Sequence, residues 1–421
     1  MHAVTMRFIV RLALFCVLCG GCATLDAERE IRRLEARVVQ TPDDAESLRD
    51  LGVLYLRMSR FPEANDRLQA AYRRDDTDPE TLFHLGLVQE KLGRTDTAFR
   101  LYERYAVVPE DSEYRQRMEG RYRYLERIRL REEIRTLAAD LERAVAEPAV
   151  TPNPSVVAVY PLTYEGENAR YAPLSRGLSE MLTTDLANVE SLRLVERIRL
   201  QTLLDEMALP DQIAMDPETT PRVGRLIGAG QVIGGLFDVS SDRNLTVEIS
   251  VMAVEDASEQ GTERSADALE NVFALEKRLV FGLIEEMGIE LTPEEEQRIE
   301  FIPTQNLQAF LAYSRGLLEE DAGNFSQAAR FYQRAGRLDP GFDEAAARSE
   351  TMEAVEAGAG TTDELLSDVF ALPPPVDVGI ERLTKLNESI GAVIYPGQES
   401  REPAQELPSD LPDPPRPPGS L

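Results

Sequence analysis

The chain has 421 residues, 43% of them hydrophobic, which allows two or three domains with real cores. A formal charge of −29 argues against a nucleic-acid partner, because phosphate backbones are bound by excess lysine and arginine. The three cysteines all fall within residues 16–22, too crowded for a disulfide framework. With His2 and the distant His84 as the only histidines, no thiolate–imidazole zinc set assembles, and Cys–His and Ser–His nucleophile arrangements lack parts.

Residues 1–21 carry Arg7 and Arg11, then the short apolar run FIVRLALFCVLC, then Gly20 and Gly21. This is the order of a secretory signal, and the run is too short to span a membrane as a mature helix. Cys22 follows directly. The stretch resembles the lipobox of bacterial lipoproteins, with Cys19 where an aliphatic usually stands. The resemblance implies cleavage before Cys22, a diacylglyceryl group on its sulfur and an acylated new amino terminus. Several acyl chains hold a protein stably on a bilayer where one does not. Ala23 and Thr24 follow where a retention aspartate would stand, which by the same resemblance implies an outer-membrane lipoprotein facing the periplasm. Residues 22–44 then read as a polar helical leader.

Residues 45–146 are self-similar with a spacing of 34, which relates Leu48 to Leu82, Leu51 to Leu85, Gly52 to Gly86 and Ala64 to Ala98. That is the tetratricopeptide period, in which Gly and Ala let paired helices approach closely. Gly120 falls one period further on, but Glu119 and Arg123 occupy apolar positions. Residues 112–146 therefore read as a capping and connecting helix. Its seven arginines between positions 115 and 131 suit either an anion-binding face or a solvated cap, and the i,i+4 pairs Glu113/Arg117 and Glu119/Arg123 favour the cap.

The Pro-rich EPAVTPNPS, 147–155, marks a boundary. Beyond it SVVAVYP reads as a buried strand and YAPLSRGLSEMLTTDLANV as an amphipathic helix with Leu174, Leu178, Met181, Leu182 and Leu186 on one side. LRLVER reads as a short strand, then RLQTLLDEMAL and TTPRVGRLIGAG as helices. QVIGGLFDVSSDRNLTVEISVMAV forms a hairpin around Ser241 to Asn244, EDASEQGTERSADA is strongly polar, and DALENVFALEKRLVFGLIEEMGI is a closing helix. The glycines of IGAGQVIGG close a helix and open a strand, the reverse of a dinucleotide fingerprint, so they read as a C-cap and a flexible strand.

The ordered blocks VAVYPL, YAPLSRGLSEMLTTDL, LRLVERIRLQTLLDEMAL and RLIGAGQVIGGLFDV resemble the curli production assembly/transport component family, the CsgG-like domain of bacterial outer-membrane lipoproteins, over residues 155–300. The resemblance implies a periplasmic domain related to lipoprotein activators of penicillin-binding proteins. The family prototype builds an export pore from two extra membrane hairpins per subunit. Membrane strands need about 9–11 residues of alternating apolarity. Only LTVEISVMAV has that look, and it reads equally as a half-buried strand with Leu245, Val247, Ile249 and Val251 inward.

Residues 303–358 carry a further tetratricopeptide hairpin, marked by Ala309, Gly316, Ala328, Tyr332, Ala335 and Pro340, with a capping helix at 342–357. A single repeat cannot bury its own apolar face and must lean on its neighbours. Residues 371–421 are Pro-rich and expected to be largely disordered.

The expected fold class is therefore α+β multidomain, with tetratricopeptide hairpins at both ends of a central mixed-sheet α/β domain. No enzymatic site, cofactor or metal is expected. His84 reads as a partly buried or surface residue. The expected function is that of a lipid-anchored periplasmic adaptor for assembly or secretion. It would bind an envelope protein or peptide segment and self-associate, with Arg49, Arg57 and Lys91 lining a concave repeat groove. An oligomeric export channel and a regulator of a peptidoglycan synthase are the alternatives.

Overall fold

The computed structural model describes residues 27–143, 152–209 and 215–371. Cys22, the signal segment and nearly all of the Pro-rich tail lie outside the described residues. The chain divides into two units, Met1–Leu366 and Ser367–Leu421. Of the second, the described part is the end of the last helix.

Helix α1 spans residues 27–40. It is less independent than a polar leader: Ile31, Leu34 and Val38, spaced to share one face, are buried, and the Tyr55 hydroxyl donates to Glu35 Oε1 at 2.5 Å. Two antiparallel helix pairs follow, α2 (Ala45–Arg57) with α3 (Phe61–Tyr72), and α4 (Pro79–Lys91) with α5 (Thr95–Glu103). Close approach explains their glycines. A Cβ on Gly86 would lie 2.4 Å from the Tyr102 ring, as one on Gly316 would lie 2.5 Å from the Tyr332 ring in the later pair.

Helix α6 (Glu113–Arg143) is the longest of the described helices. Its first half packs on α4 and α5, and its second half reaches the sheet domain. There Ile134 is fully buried beside Leu130 and Leu137. It is not the solvated cap expected from its charge.

The sheet is mixed, in the order β3-β1-β4-β5-β6, with β2 also on β4. Strands β1 (Asn153–Val159), β2 (Thr163–Tyr164) and β3 (Arg193–Leu194) join their neighbours in parallel. The long hairpin β4 (Ala229–Val239) and β5 (Asn244–Ala253) is antiparallel. Helices α7 (Leu174–Leu186) and α10 (Val272–Glu286) cover one face, burying Val157, Ile233, Phe237 and the inward residues of β5. Helices α8 (Arg197–Glu206) and α9 (Thr219–Ile227) cover Ala158, Tyr160 and Val232 on the other. Gly228 ends α9 at φ 72°, the left-handed C-cap read from the sequence.

The polar segment after β5 holds a strand that the side-chain pattern does not announce, β6 (Glu259–Ala268), paired antiparallel to β5 over its length. Its backbone ladder forms it, not apolar alternation. One set of residues lies against α10, where a Cβ on Gly282 would sit 2.7 Å from the Glu263 carboxyl, and the other faces solvent. Charge along an edge strand discourages pairing with another sheet.

Helix α11 (Pro293–Ile299) begins with the Thr292/Glu295 capping box. Glu295 is buried and also accepts from the Glu190 amide at 2.8 Å. Helices α12 (Leu307–Asp321) and α13 (Phe325–Leu338) form the later repeat. Next come α14 (Asp343–Gly358) and α15 (Thr362–Ala371). Helix α12 packs on α7, so the lone repeat does lean on the sheet domain, and one apolar core runs through both. Helix α14 runs along α6, bringing Gly120 against Ala354 and Gly358. Gly120 thus holds the repeat position its spacing suggests. The helix that completes this third repeat is α14, more than 200 residues further along the chain. The two repeat groups form one helical stack.

Candidate functional site at the junction of the repeats and the sheet domain

The α4/α5 and α12/α13 repeats each carry a buried glutamate four residues after the small glycine and a tyrosine sixteen after it: Gly86, Glu90, Tyr102 and Gly316, Glu320, Tyr332. Each tyrosine hydroxyl donates to its glutamate, at 2.8 and 2.7 Å. Each glutamate then receives an arginine from α6. Arg121 holds Glu90 through both carboxylate oxygens, at 3.0 and 2.5 Å, and donates to the Gly358 and Gly360 carbonyls at 2.9 and 2.8 Å. Arg127 donates to Glu320 at 2.7 Å.

Around Glu320 the charges multiply. Arg197, at the start of α8, meets Glu180 at 3.1 Å, Glu320 at 3.3 Å, and Asp321. Arg176 on α7 donates to Asp321 at 2.8 Å. Arg348 on α14 reaches Glu320 at 3.3 Å, Glu344 at 3.2 Å, and Glu180. Burial alone would raise the Glu320 carboxyl, yet Arg197, Arg348 and Arg127 together hold it down at about 2. This network ties α6, α7, α8, α12 and α14 together. The net stability of such buried ion pairs is small against their desolvation, but removing one partner leaves an uncompensated buried charge.

Beside the network opens a cleft of about 540 Å³. Its floor carries Arg127, Glu320 and Arg348. Its apolar wall includes Phe99 and Tyr122, with ring centroids 4.4 Å apart, together with Leu130 and Met352. Arg129, exposed and 5.7 Å above the Phe99 ring, stands at the rim with Glu126 and Glu196. An apolar wall with charges of both signs suits a protein segment better than a small charged metabolite.

The residues proposed from sequence are placed elsewhere. Arg49 is bound to Asp50 at 2.9 Å, Asp78 at 3.5 Å and Glu80 at 3.3 Å. Lys91 pairs with Asp363 of α15. Both are thus engaged within the chain and do not offer an open groove; Arg57 is exposed at the end of α2. His84 is fully buried, with Nδ1 2.9 Å from the Glu80 carbonyl and its ring edge-on to Phe83. Burial, joined by the charges of Arg117 and Arg49, lowers its pKa to about 4, so it is a neutral core residue near pH 7. The cleft was not read from sequence, because its walls come from helices far apart in the chain. The repeated Gly, Glu and Tyr spacing was the available signal.

A second buried charge cluster lies between α7 and α10. Lys277 Nζ is 2.5 Å from Asp185 and 3.6 Å from Glu276, whose side chain is 1% exposed. Burial, then the neighbouring Asp185 charge, pushes the Glu276 carboxyl well above its ordinary value. A carboxyl raised in the folded state contributes stability that is present at low pH and lost as pH rises towards its folded pKa. Glu276→Gln should therefore flatten the decline of the thermal midpoint as pH rises above the ordinary glutamate value of 4.5. An unchanged pH profile would mean that Glu276 stays ionised.

Among the described residues no group of three or more His, Cys, Asp or Glu is arranged to hold a metal ion. Nor is any described helix long and apolar enough to cross a membrane.

A central mixed sheet clamped by tetratricopeptide-like helical repeats defines the class of this chain. Residues 142–243 match the family model described as curli production assembly/transport component CsgG, a stretch from the end of α6 to the β4–β5 turn. The sheet itself continues beyond this match through β5 and β6. No curated protein matches the chain. Among solved structures, the C-terminal domain of LpoB from Salmonella enterica aligns at 19% identity over 32% of this chain and 94% of its own, with a TM-score of 0.22. A tetratricopeptide repeat protein from Parabacteroides merdae aligns at 14% identity over 78% and 93%, with a TM-score of 0.23. Yeast Tom70 aligns at 14% over 83% and 66%, with a TM-score of 0.22. Similarity at this level says nothing about function.

Proposed function

We propose that this chain is a non-catalytic adaptor of the bacterial cell envelope. It is anchored in the outer membrane through lipid on Cys22, and it docks a segment of an envelope protein engaged in assembly or secretion into the α6/α14 cleft. The observation that carries the reading is the cleft itself. It opens where a composite repeat stack meets a CsgG-like domain, and its apolar wall stands over a rigid, internally neutralised floor. A fixed scaffold of this kind presents a preformed surface, which lowers the ordering cost of binding.

The test is crosslinking with mass spectrometry in intact cells. Tyr122→Glu combined with Arg129→Glu should abolish crosslinks between cleft residues and envelope proteins, while the purified variant keeps the parent's unfolding midpoint. Crosslinks that persist undiminished, or that never involve the cleft, would sink the docking assignment. Cys22→Ala should remove acyl labelling and release the protein from the membrane fraction. Persistent labelling would sink the anchor.

A further inference from the structure

Away from the cleft, and sharing none of its lining residues, a pocket of about 260 Å³ is lined by Arg170, Arg315 and Arg334 and by no carboxylate. In a chain with a net charge of −29 this is an unusual concentration of one sign. Arg315 lies on α12 one and two turns after Leu311 and Gln308, on the same helix face, and Arg334 lies on α13 one turn after Phe331. Arg170 comes from the sheet domain, in the short 3₁₀ turn Ala169–Tyr171 that leads into α7.

Two of the three side chains are held over aromatic rings. The Arg315 guanidinium lies 5.9 Å from the Phe331 ring centroid, and that of Arg170 lies 5.0 Å from the Tyr171 ring centroid. The turn carrying Arg170 is held by Asn168, whose side chain accepts from the Arg170 amide at 3.2 Å and whose carbonyl accepts from the Tyr164 hydroxyl at 3.0 Å. Arginine forks match oxyanions bidentately, and here three converge from two parts of the fold. Leu311 and the Phe331 ring supply an apolar wall beside them.

We propose that this pocket binds a carboxylate-bearing segment of a partner polypeptide, one or two acidic residues long, with the neighbouring side chain against Phe331. The volume, about 260 Å³, suits one or two carboxylate side chains beside a small apolar one. The overall negative charge opposes an extended polyanion such as nucleic acid. The assignment stands apart from the cleft and does not depend on the adaptor reading.

The experiment uses the purified full chain and three probes: a fluorescein-labelled peptide with two adjacent glutamates beside a leucine, its glutamine counterpart, and inorganic phosphate. The acidic peptide should bind saturably and the glutamine peptide at least tenfold more weakly. Arg315→Ala with Arg334→Ala should weaken acidic-peptide binding at least tenfold, without moving the unfolding midpoint. Arg170→Ala alone, which leaves the repeat intact, should weaken it too. Equal binding of the two peptides, undiminished binding by the variants, or binding of phosphate without the acidic peptide would each overturn the proposal.

Discussion

Gly120→Ala is expected to destabilise the protein by at least about 3 kcal/mol, the upper end of what overpacking costs, although alanine is the better helix former by about 1 kcal/mol. A Cβ on Gly120 would stand 1.8 Å from the Ala354 carbonyl oxygen and 2.6 Å from its carbon. The obstacle is backbone, so no rotamer change relieves it. From the other side, a Cβ on Gly358 would stand 2.2 Å from the Gly120 carbonyl carbon. The two helices cross glycine on glycine, and either substitution must push α14 off α6. That movement would carry the Gly358 and Gly360 carbonyls away from Arg121 and expose its pair with Glu90. Gly336, also helical, is the control: nothing lies within 4 Å of its would-be Cβ. Gly336→Ala should therefore stabilise by about 0.5–1 kcal/mol. Urea unfolding midpoints of the two variants should move in opposite directions. A Gly120→Ala protein as stable as the parent would refute the crossing and the composite third repeat with it.

Glu320→Gln should cost about 3–5 kcal/mol at neutral pH, the usual penalty for removing one partner of a buried ionic group. Arg127, Arg197 and Arg348 would all lose their shared counter-charge, and the Tyr332 hydroxyl its ionised acceptor. The pH dependence gives an independent check. The Glu320 pKa falls from an ordinary 4.5 to about 2 in the folded protein, so its contribution is present above pH 4.5 and is lost as pH falls towards 2. Over that window the shift corresponds to about 3 kcal/mol, from about 1.36 kcal/mol per pKa unit. The gap in stability between parent and variant should therefore be widest at neutral pH and close on acidification below pH 4.5. A gap that stays constant down to pH 2 would show that the Glu320 pKa is not lowered by folding.

Much of the architecture was legible in the chain. The spacing of 34 marked Gly52 and Gly86, and the glycine-ended helix and hairpin of the middle segment form as their residues imply. Local chemistry decides such features. A left-handed C-cap at Gly228, or a capping box at Thr292 and Glu295, depends on a few neighbouring residues and the backbone they favour. The polar β6 escaped because its pairing is a backbone property, and nothing in EDASEQGTERSADA alternates.

The arginines of α6 show the limit most clearly. Read along the helix, Glu113/Arg117 and Glu119/Arg123 describe a solvated surface, and both pairs do form. Between them Arg121 is buried against Glu90, and further on Arg127 reaches Glu320, a residue 193 positions away. The same residue type on one helix is surface at one turn and core at the next, and which applies depends on what packs there. The sequence by itself determined the repeats, the type of most elements and the composition of each face, because these rest on periodicity and short-range sterics. Only the tertiary structure decided that α14 completes a repeat begun by α6, that Arg49 and Lys91 are spent on internal pairs, and where the cleft and the arginine pocket open. Those features are made of long-range contacts, whose partners are selected by shape and charge in space and leave no spacing in the chain to read.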